Sequence, residues 1–331
     1  MNPENLVLVL RELLEDVHLS QRQLAELCDL SLGTVNRTIR YCRDQGLLID
    51  KDQSLLVSEK GLAFLEEHKV ENAIILAALP PHQLLPPAYD RPRGLLKVRG
   101  TPIVERQIQY LKAKGIDSIY LVVGHMKEAF DYLIDKYGVK LIYNPDFMSR
   151  NHFSSLFHAA DYLDNSYVLT GDCWMEENVF QRYEASSYVS TVYCQDQVEG
   201  WCVTTSSVGR VKSLELGGKN CLKVCSPSYL HRDIIASYKS LLIDYYRDPR
   251  ESLYFWNIIL TENFRDQDIK ARDQTGKVLE FHSRAELRAY DETYWSGAKE
   301  VIASHLPADF HASGSDILDM ERDRKSTRLN S

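Results

Sequence analysis

A chain of 331 residues, 44% apolar and 26% charged, is too long for one small core and has the make-up of an ordinary globular protein, which excludes a fibrous or wholly disordered one. Its net charge of −8 argues against a surface built to blanket nucleic acid or anionic lipid. No apolar run approaches the roughly 20 residues that cross a bilayer, and carboxylates interrupt the N-terminal stretch MNPENLVLVLRELLEDV, so it is no secretory signal. The cytosol is the expected compartment, with no membrane partner. The seven cysteines are scattered without a C-x-x-C pair, which predicts reduced thiols rather than a zinc site.

In chain order, Leu6, Leu8, Leu10, Leu13, Leu14 and Val17 predict a first amphipathic helix. Ser20 with Gln23 three residues on makes a capping box before QRQLAELCDL. Ser31 opens a further helix, SLGTVNRTIRYCRDQG, which closes on Gly46. Then LLIDKDQSLLVSEKG reads as two short strands around a polar Lys51-Asp52-Gln53 tip, and GLAFLEEH as a closing helix. Two helices, a turn and a winged hairpin predict a small domain over 1–68. The phrase LSQRQLAELCDLSLGTVNRTIRYCRDQGLL resembles the winged helix-turn-helix heads of bacterial regulators. That resemblance implies that Ser31, Thr34, Asn36, Arg37 and Arg40 meet base edges or phosphates. Residues 1–70 carry 8 Lys/Arg against 12 Asp/Glu, and DNA affinity rests on neutralising phosphates. A homodimer would double the Arg37, Arg40, Arg43 stripe. Alternatively, the head serves protein contacts.

From residue 72 the pattern changes. ENAIILAAL and DSIYLVVGH read as buried strands, and VKLIYNP and NSYVLTGD as a third and a fourth strand. GTPIVERQIQYLKAKGI, KEAFDYLIDKYG and FSSLFHAADYL read as the helices between them. Such alternation predicts an α/β domain over 72–305, with a doubly wound, mixed but mainly parallel, Rossmann-like sheet. Ligands in such sheets bind beyond the carboxyl ends of the strands. Those ends are Ala78 onward, Gly124-His125, Asn144-Pro145 and Gly171-Asp172. Residues 306–331 lack periodicity and are expected to be a disordered tail.

The run from AIILAA through RPRGLLKVRGTPIVERQIQYLKAKGI, YLVVGHMKEAFDYLIDKYGVKLIYNPDF, NHFSSLFHAADYL and YVLTGDCWMEENVF resembles the bacterial CTP:phosphocholine cytidylyltransferases and related nucleoside-triphosphate transferases. Some members of that group also carry a winged-helix head. The resemblance implies a nucleotidyltransferase fold and an attack of phosphocholine, or a similar small molecule, on the α-phosphate of CTP. Mg²⁺ is the cofactor expected of an active member. The chemistry asks for a glycine-rich loop, a basic side chain and metal-holding carboxylates.

Residue by residue, the match is uneven. Where the family has a glycine-rich loop, this chain has Ala78-Leu79-Pro80-Pro81-His82-Gln83. Prolines have no N–H to offer a phosphate, and Leu79 adds a Cβ where backbone should approach. Ala78, Leu79 and His82 are the nucleotide-binding positions of this rewritten loop, with Arg93 in place of the family's lysine. Asp172 matches the metal-binding aspartate, and His282 stands where a second one is expected. Arg93 and Asp172 are thus the catalytic candidates, and Asp172 with His282 the metal candidates. On the substrate side, Asn151, Ser154, Trp174 and Trp256 are the candidates. Trp174, Trp201, Tyr229 and Trp256 could form an aromatic cage for a quaternary ammonium, while aromatic residues also simply pack. With loop, lysine and second carboxylate all replaced, the sequence predicts catalysis lost or strongly altered. The alternatives are an active transferase, a ligand-responsive DNA-binding regulator, and a scaffold partner of an active paralogue.

Overall fold

Asn2 and Ser20 each start a helix by accepting a hydrogen bond from a backbone N–H that the helix itself cannot satisfy. The computed structural model describes residues 1–51, 54–78, 91–150, 152–248, 256–257, 269–281 and 284–292. In the head, α1 (Pro3–Glu15), α2 (Gln21–Leu27) and α3 (Leu32–Asp44) pack on one another. The hairpin β1 (Leu48–Lys51) and β2 (Ser54–Val57) forms the wing, and α4 (Glu59–Glu66) closes the unit. The Ser20–Gln23 capping box forms, and Ser31 Oγ accepts from the Thr34 amide at 3.1 Å. Gly46 takes φ +70° just beyond α3, a backbone region that disfavours side chains. The core of the head gathers Leu6, Leu10, Leu24, Val35, Ile39 and Leu65, while Leu14 points outward.

In the body, β3 (Asn72–Ala77), β6 (Ile119–Val123), β7 (Lys140–Tyr143) and β8 (Ser166–Thr170) run parallel. The sheet continues antiparallel through β10 (Tyr188–Cys194), β11 (Val198–Thr205), β12 (Val211–Gly218) and β13 (Cys221–Leu230). Its order is β12-β11-β13-β8-β3-β6-β7, and β10 lies between β13 and β14 (Lys270–Asp273). Two-residue strands β4 (Lys97–Val98) and β5 (Thr101–Pro102) lead into α5 (Ile103–Ala113), and β9 (Cys173–Met175) pairs with β15 (Val278–Glu280).

Successive side chains of a strand face opposite ways, and β3 is buried on both faces. Ala73, Ile75 and Ala77 join a core with Val104, Ile108 and Leu111 of α5 (Ile103–Ala113). Ile74 and Leu76 join a second core with Phe153 and Leu156 of α7 (His152–His158) and Tyr238 and Leu242 of α8 (Arg232–Arg247). Helices on both faces make the sheet doubly wound, as expected.

One predicted helix is broken. The stretch after His125 starts with Met126 at φ +49° and forms a 3₁₀ turn, Lys127–Phe130, before α6 (Tyr132–Tyr137). Without a side-chain cap at either start, burial of Phe130 and Leu133 sets the path instead. Among the described residues no helix is long and apolar enough to cross a membrane. The predicted tail, 306–331, lies outside the described residues.

Candidate active site

At the carboxyl end of β8 the chain turns through Gly171 into Asp172, and the Gly171 amide donates to the Leu76 carbonyl at 2.8 Å. Opposite lies the 3₁₀ turn Arg93–Leu95. A Cβ on Gly94 would sit 2.5 Å from Val104 Cγ2 and 3.0 Å from the Gly171 carbonyl oxygen, and one on Gly171 would meet Ala77 Cβ at 2.9 Å. The two glycines let backbone pass against backbone, and the side chains next to them, Arg93 before Gly94 and Asp172 after Gly171, are thereby brought together. Arg93 Nη2 stands 2.9 Å from Asp172 Oδ2. The same nitrogen donates to the Phe281 carbonyl at 3.4 Å, and Gln107 Nε2 pins the strand end by donating to the Thr170 and Cys173 carbonyls.

His152, at the start of α7, completes the charged corner. Burial pushes its imidazole down to about 4, with Asp172 opposing and Arg93 adding to the effect. Burial also pushes the Asp172 carboxyl up, but Arg93 and then His152 outweigh it and hold the group below its ordinary value. At neutral pH the corner therefore holds a carboxylate, a guanidinium and a neutral imidazole.

These residues floor a cavity of about 610 Å³, the size of a small-molecule site. One wall is the stretch Gln197–Trp201 with Leu216. A second is Lys223, Val224 and Ser226 of β13, and the third is Trp256, Asn257 and Glu280. Lys223 Nζ lies 3.6 Å from Glu280 Oε2.

Of the residues named from the sequence, Arg93, Asp172, Trp201 and Trp256 meet in this cavity. Ala78 is buried beyond β3, and its carbonyl accepts from the His125 amide at 2.9 Å. Ser154 is fully buried and does not line the cavity; its hydroxyl accepts from Asn144 Nδ2 at 3.0 Å. Trp174 is likewise displaced from the cage expected of it. It packs with Val98, Ile103, Phe281 and Leu287, and its Nε1 donates to the Tyr290 hydroxyl at 3.1 Å. Leu287 and Tyr290 belong to α9 (Arg284–Tyr290). Tyr229 is buried in the core beside Tyr167, so of the cage candidates Trp201 and Trp256 reach the cavity. Leu79, His82, Asn151 and His282 lie outside the described residues.

Sequence reasoning missed Lys223 and Glu280. A signal was present: Lys223 interrupts the apolar run of CLKVCSPSY, on the same strand face as Cys221 and Cys225, where a hydrophobe would be ordinary.

The implied Mg²⁺ needs several oxygen ligands. Asp172, at the expected position, is already engaged by Arg93, and among the described residues no three His, Cys, Asp or Glu side chains converge to hold a metal ion. The donor set on the described residues does not fit a resident divalent cation.

On the head, Ser31, Asn36, Arg37 and Arg40 are exposed and Thr34 is half-buried. Arg37 Nη2 donates to Thr34 Oγ1 at 3.4 Å, while Arg43 is drawn back to Asp50 of the wing at 2.6 Å. The basic stripe read from the sequence is thus Arg37 and Arg40, with Arg43 partly neutralised.

Residues 4–49 match the family described as winged helix-turn-helix DNA-binding. Residues 87–237 match the MobA-like NTP transferase domain. A choline-phosphate cytidylyltransferase of Streptococcus pneumoniae is 29% identical over 221 residues, which span 66% of this chain and 96% of that protein. The solved structure of the CTP:phosphocholine cytidylyltransferase from Streptococcus pneumoniae superposes with a TM-score of 0.63 at 28% identity, covering 70% of this chain and 98% of that one. The body is a MobA-like NTP transferase domain, cytidylyltransferase-like in sequence and structure. A 2-aminoethylphosphonate cytidylyltransferase of Lancefieldella rimae is 27% identical over 229 residues, 67% of this chain and 93% of that protein. The inositol-1-phosphate CTP transferase of T. maritima, at 16% identity and a TM-score of 0.54, shares the fold. The transferase domain thus accounts for the body, and the winged-helix unit is joined to its N-terminal side.

Proposed function

We propose that the transferase domain binds a cytidine nucleotide and a small phosphorylated or phosphonylated ammonium compound, with cytidylyl transfer lost or strongly reduced. The names of its relatives, which act on choline phosphate and 2-aminoethylphosphonate, support that ligand class. The Arg93–Asp172 pair at 2.9 Å carries the argument for weak transfer. Transfer builds charge on the α-phosphate, which must be met by preorganised cations. Here the guanidinium nearest the strand ends is neutralised by the carboxylate that would otherwise hold a metal. The rewritten segment from Leu79 and the histidine at position 282 point the same way. Each such loss is worth about 10²–10³ in rate, and losses at groups acting together do not simply add. Mg²⁺ enters this reading only as a component supplied in the assay.

The test is pyrophosphate release from CTP and phosphocholine with Mg²⁺ or Mn²⁺, beside Asp172→Ala. The expected result is no turnover that depends on Asp172. Clear turnover abolished by that substitution sinks the reading and restores an active enzyme.

A second reading is favoured by the exposed Asn36, Arg37 and Arg40 on a helix of the winged-helix family: the chain is a ligand-responsive DNA-binding regulator. Gel shifts of upstream DNA at low salt should depend steeply on ionic strength. Arg37→Ala with Arg40→Ala should weaken them at least about tenfold, as loss of two phosphate contacts would. Absence of any low-salt shift counts against DNA as the partner.

A further inference from the structure

Three of the scattered cysteines meet on one patch of the sheet. Cys221 opens β13, and Cys194 of β10 is its Cα partner across the ladder. Cys202 lies in β11 directly after Trp201 and opposite Lys223, two residues that line the cavity. Gly218 of β12 makes room for two of the sulfurs. A Cβ there would sit 3.0 Å from Cys221 Sγ and 3.4 Å from Cys202 Sγ, so both thiols share the space that the glycine leaves open. Cys202 is buried, while Cys194 and Cys221 are half-buried. Burial pushes the Cys202 thiol up, and its hydrogen bond with Cys221 and the nearby Cys194 add to the effect, against Lys223. The Cys202 thiol also donates to the Gly200 carbonyl at 3.7 Å, whereas Cys194 turns back to the Val192 carbonyl of its own strand at 3.8 Å.

We propose that Cys202 and Cys221 are a redox-active dithiol whose closure to a disulfide alters the wall of the cavity. The oxidant is a small-molecule disulfide such as oxidised glutathione. The half-buried Cys221 reacts first, as its thiolate. Its sulfur bonds to one sulfur of the oxidant, the oxidant's S–S bond breaks, and one thiolate leaves. Cys202 then gives its proton to water, bonds to Cys221 Sγ and expels the second thiolate. Two electrons pass from the cysteine pair to the oxidant, which departs as two thiols once each has taken up a proton. The oxidised Cys202 has no proton left for the Gly200 carbonyl, and β11 is tied to the start of β13. Both changes fall on the Gln197–Trp201 wall, to which Gly200 belongs. A pair that rests as thiols and closes when oxidant rises is a sensing arrangement rather than a structural disulfide.

The experiment is oxidation of the reduced full chain with oxidised glutathione, followed by alkylation of the remaining thiols and peptide mapping. The expected product is a link between Cys202 and Cys221, with the buried Cys173 and Cys225 still free. Cys194→Ser should leave that link intact. Amide exchange across residues 198–204 should slow at least about tenfold in the oxidised protein, because a cross-link removes opened states. Dithiothreitol should restore the original rate, and Cys202→Ser should abolish the slowing. A link from Cys221 to Cys194, or glutathione retained on Cys221 without closure, overturns the pairing. No reaction in a large excess of oxidised glutathione overturns the redox role. A Cys202–Cys221 link with unchanged exchange overturns its effect on the wall.

Discussion

Glu184 shows how one carboxylate can be kept ionised in an interior. Its side chain is 1% exposed, yet Arg272 reaches it with two nitrogens at 2.6 and 2.8 Å, the Tyr167 hydroxyl donates at 2.7 Å, and Arg11 of the head lies 3.8 Å away. Burial pushes the group up, but Arg272 outweighs it and holds Glu184 below its ordinary value. The stability it contributes is therefore present above the unfolded carboxylate value and is lost as pH falls through the depressed folded one. Glu184→Ala leaves the guanidinium of Arg272 without its partner. A fully buried orphan costs about 3–5 kcal/mol. Because Arg272 keeps 33% of its side chain exposed, a loss of about 2–3 kcal/mol is expected in denaturant unfolding. A variant within about 0.5 kcal/mol of wild type would show that the cluster carries little of the stability.

At the scale of elements, the seam between head and body includes His68, just beyond α4, and His231, the N-cap of α8. Their rings lie 5.7 Å apart. Burial, and then His231, push His68 below its ordinary value, with Arg232 adding to the effect and Glu67 and Asp233 opposing it. The neutral ring's contribution is fully present above the unfolded histidine value near 6.5 and fades as pH falls through the lower folded one. Amides at residues 66–70 and 182–184 should lose protection, measured against their intrinsic exchange rates, between about pH 7 and about pH 5, and His68→Phe should remove that dependence. Protection factors that do not change with pH in the wild type sink the idea. The helices of the head were legible because Ser20, Ser31 and Gly46 are local signals that operate without tertiary help. The parallel strands were legible as continuous apolar runs. The antiparallel strands from β10 to β13 were not placed individually, because residues such as Glu199, Lys212 and Lys223 break their alternation. At the site, Asp172 could be read from its place after a buried strand. Its pairing with Arg93 could not, because that depends on Gly94 and Gly171 meeting across 77 positions of sequence. Trp174 misled for a related reason: an indole satisfies a cage and a core equally well until its neighbours are known.

For the whole molecule, a boundary at residues 68–72 is a boundary of pattern and not of energy. The Val70 amide donates to the Arg182 carbonyl and the Glu184 amide to the His68 carbonyl, both at 2.9 Å. Tyr183 and Ala185 pack into the hydrophobic cluster of the head, Arg11 donates to the Tyr183 carbonyl at 3.3 Å, and Glu4 pairs with Lys270. From Lys270 the chain needs only one turn to reach Glu280 on the cavity wall. The head is therefore no detachable module. Cutting it away would uncover Tyr183 and Ala185 and leave half of a backbone pairing unanswered, so a body begun at residue 72 inherits an exposed apolar scar. Swapping in the head of another protein would meet the same obstacle. The graft succeeds only if it brings its own answer to the 182–185 stretch, which makes this seam a joint fitted on both sides.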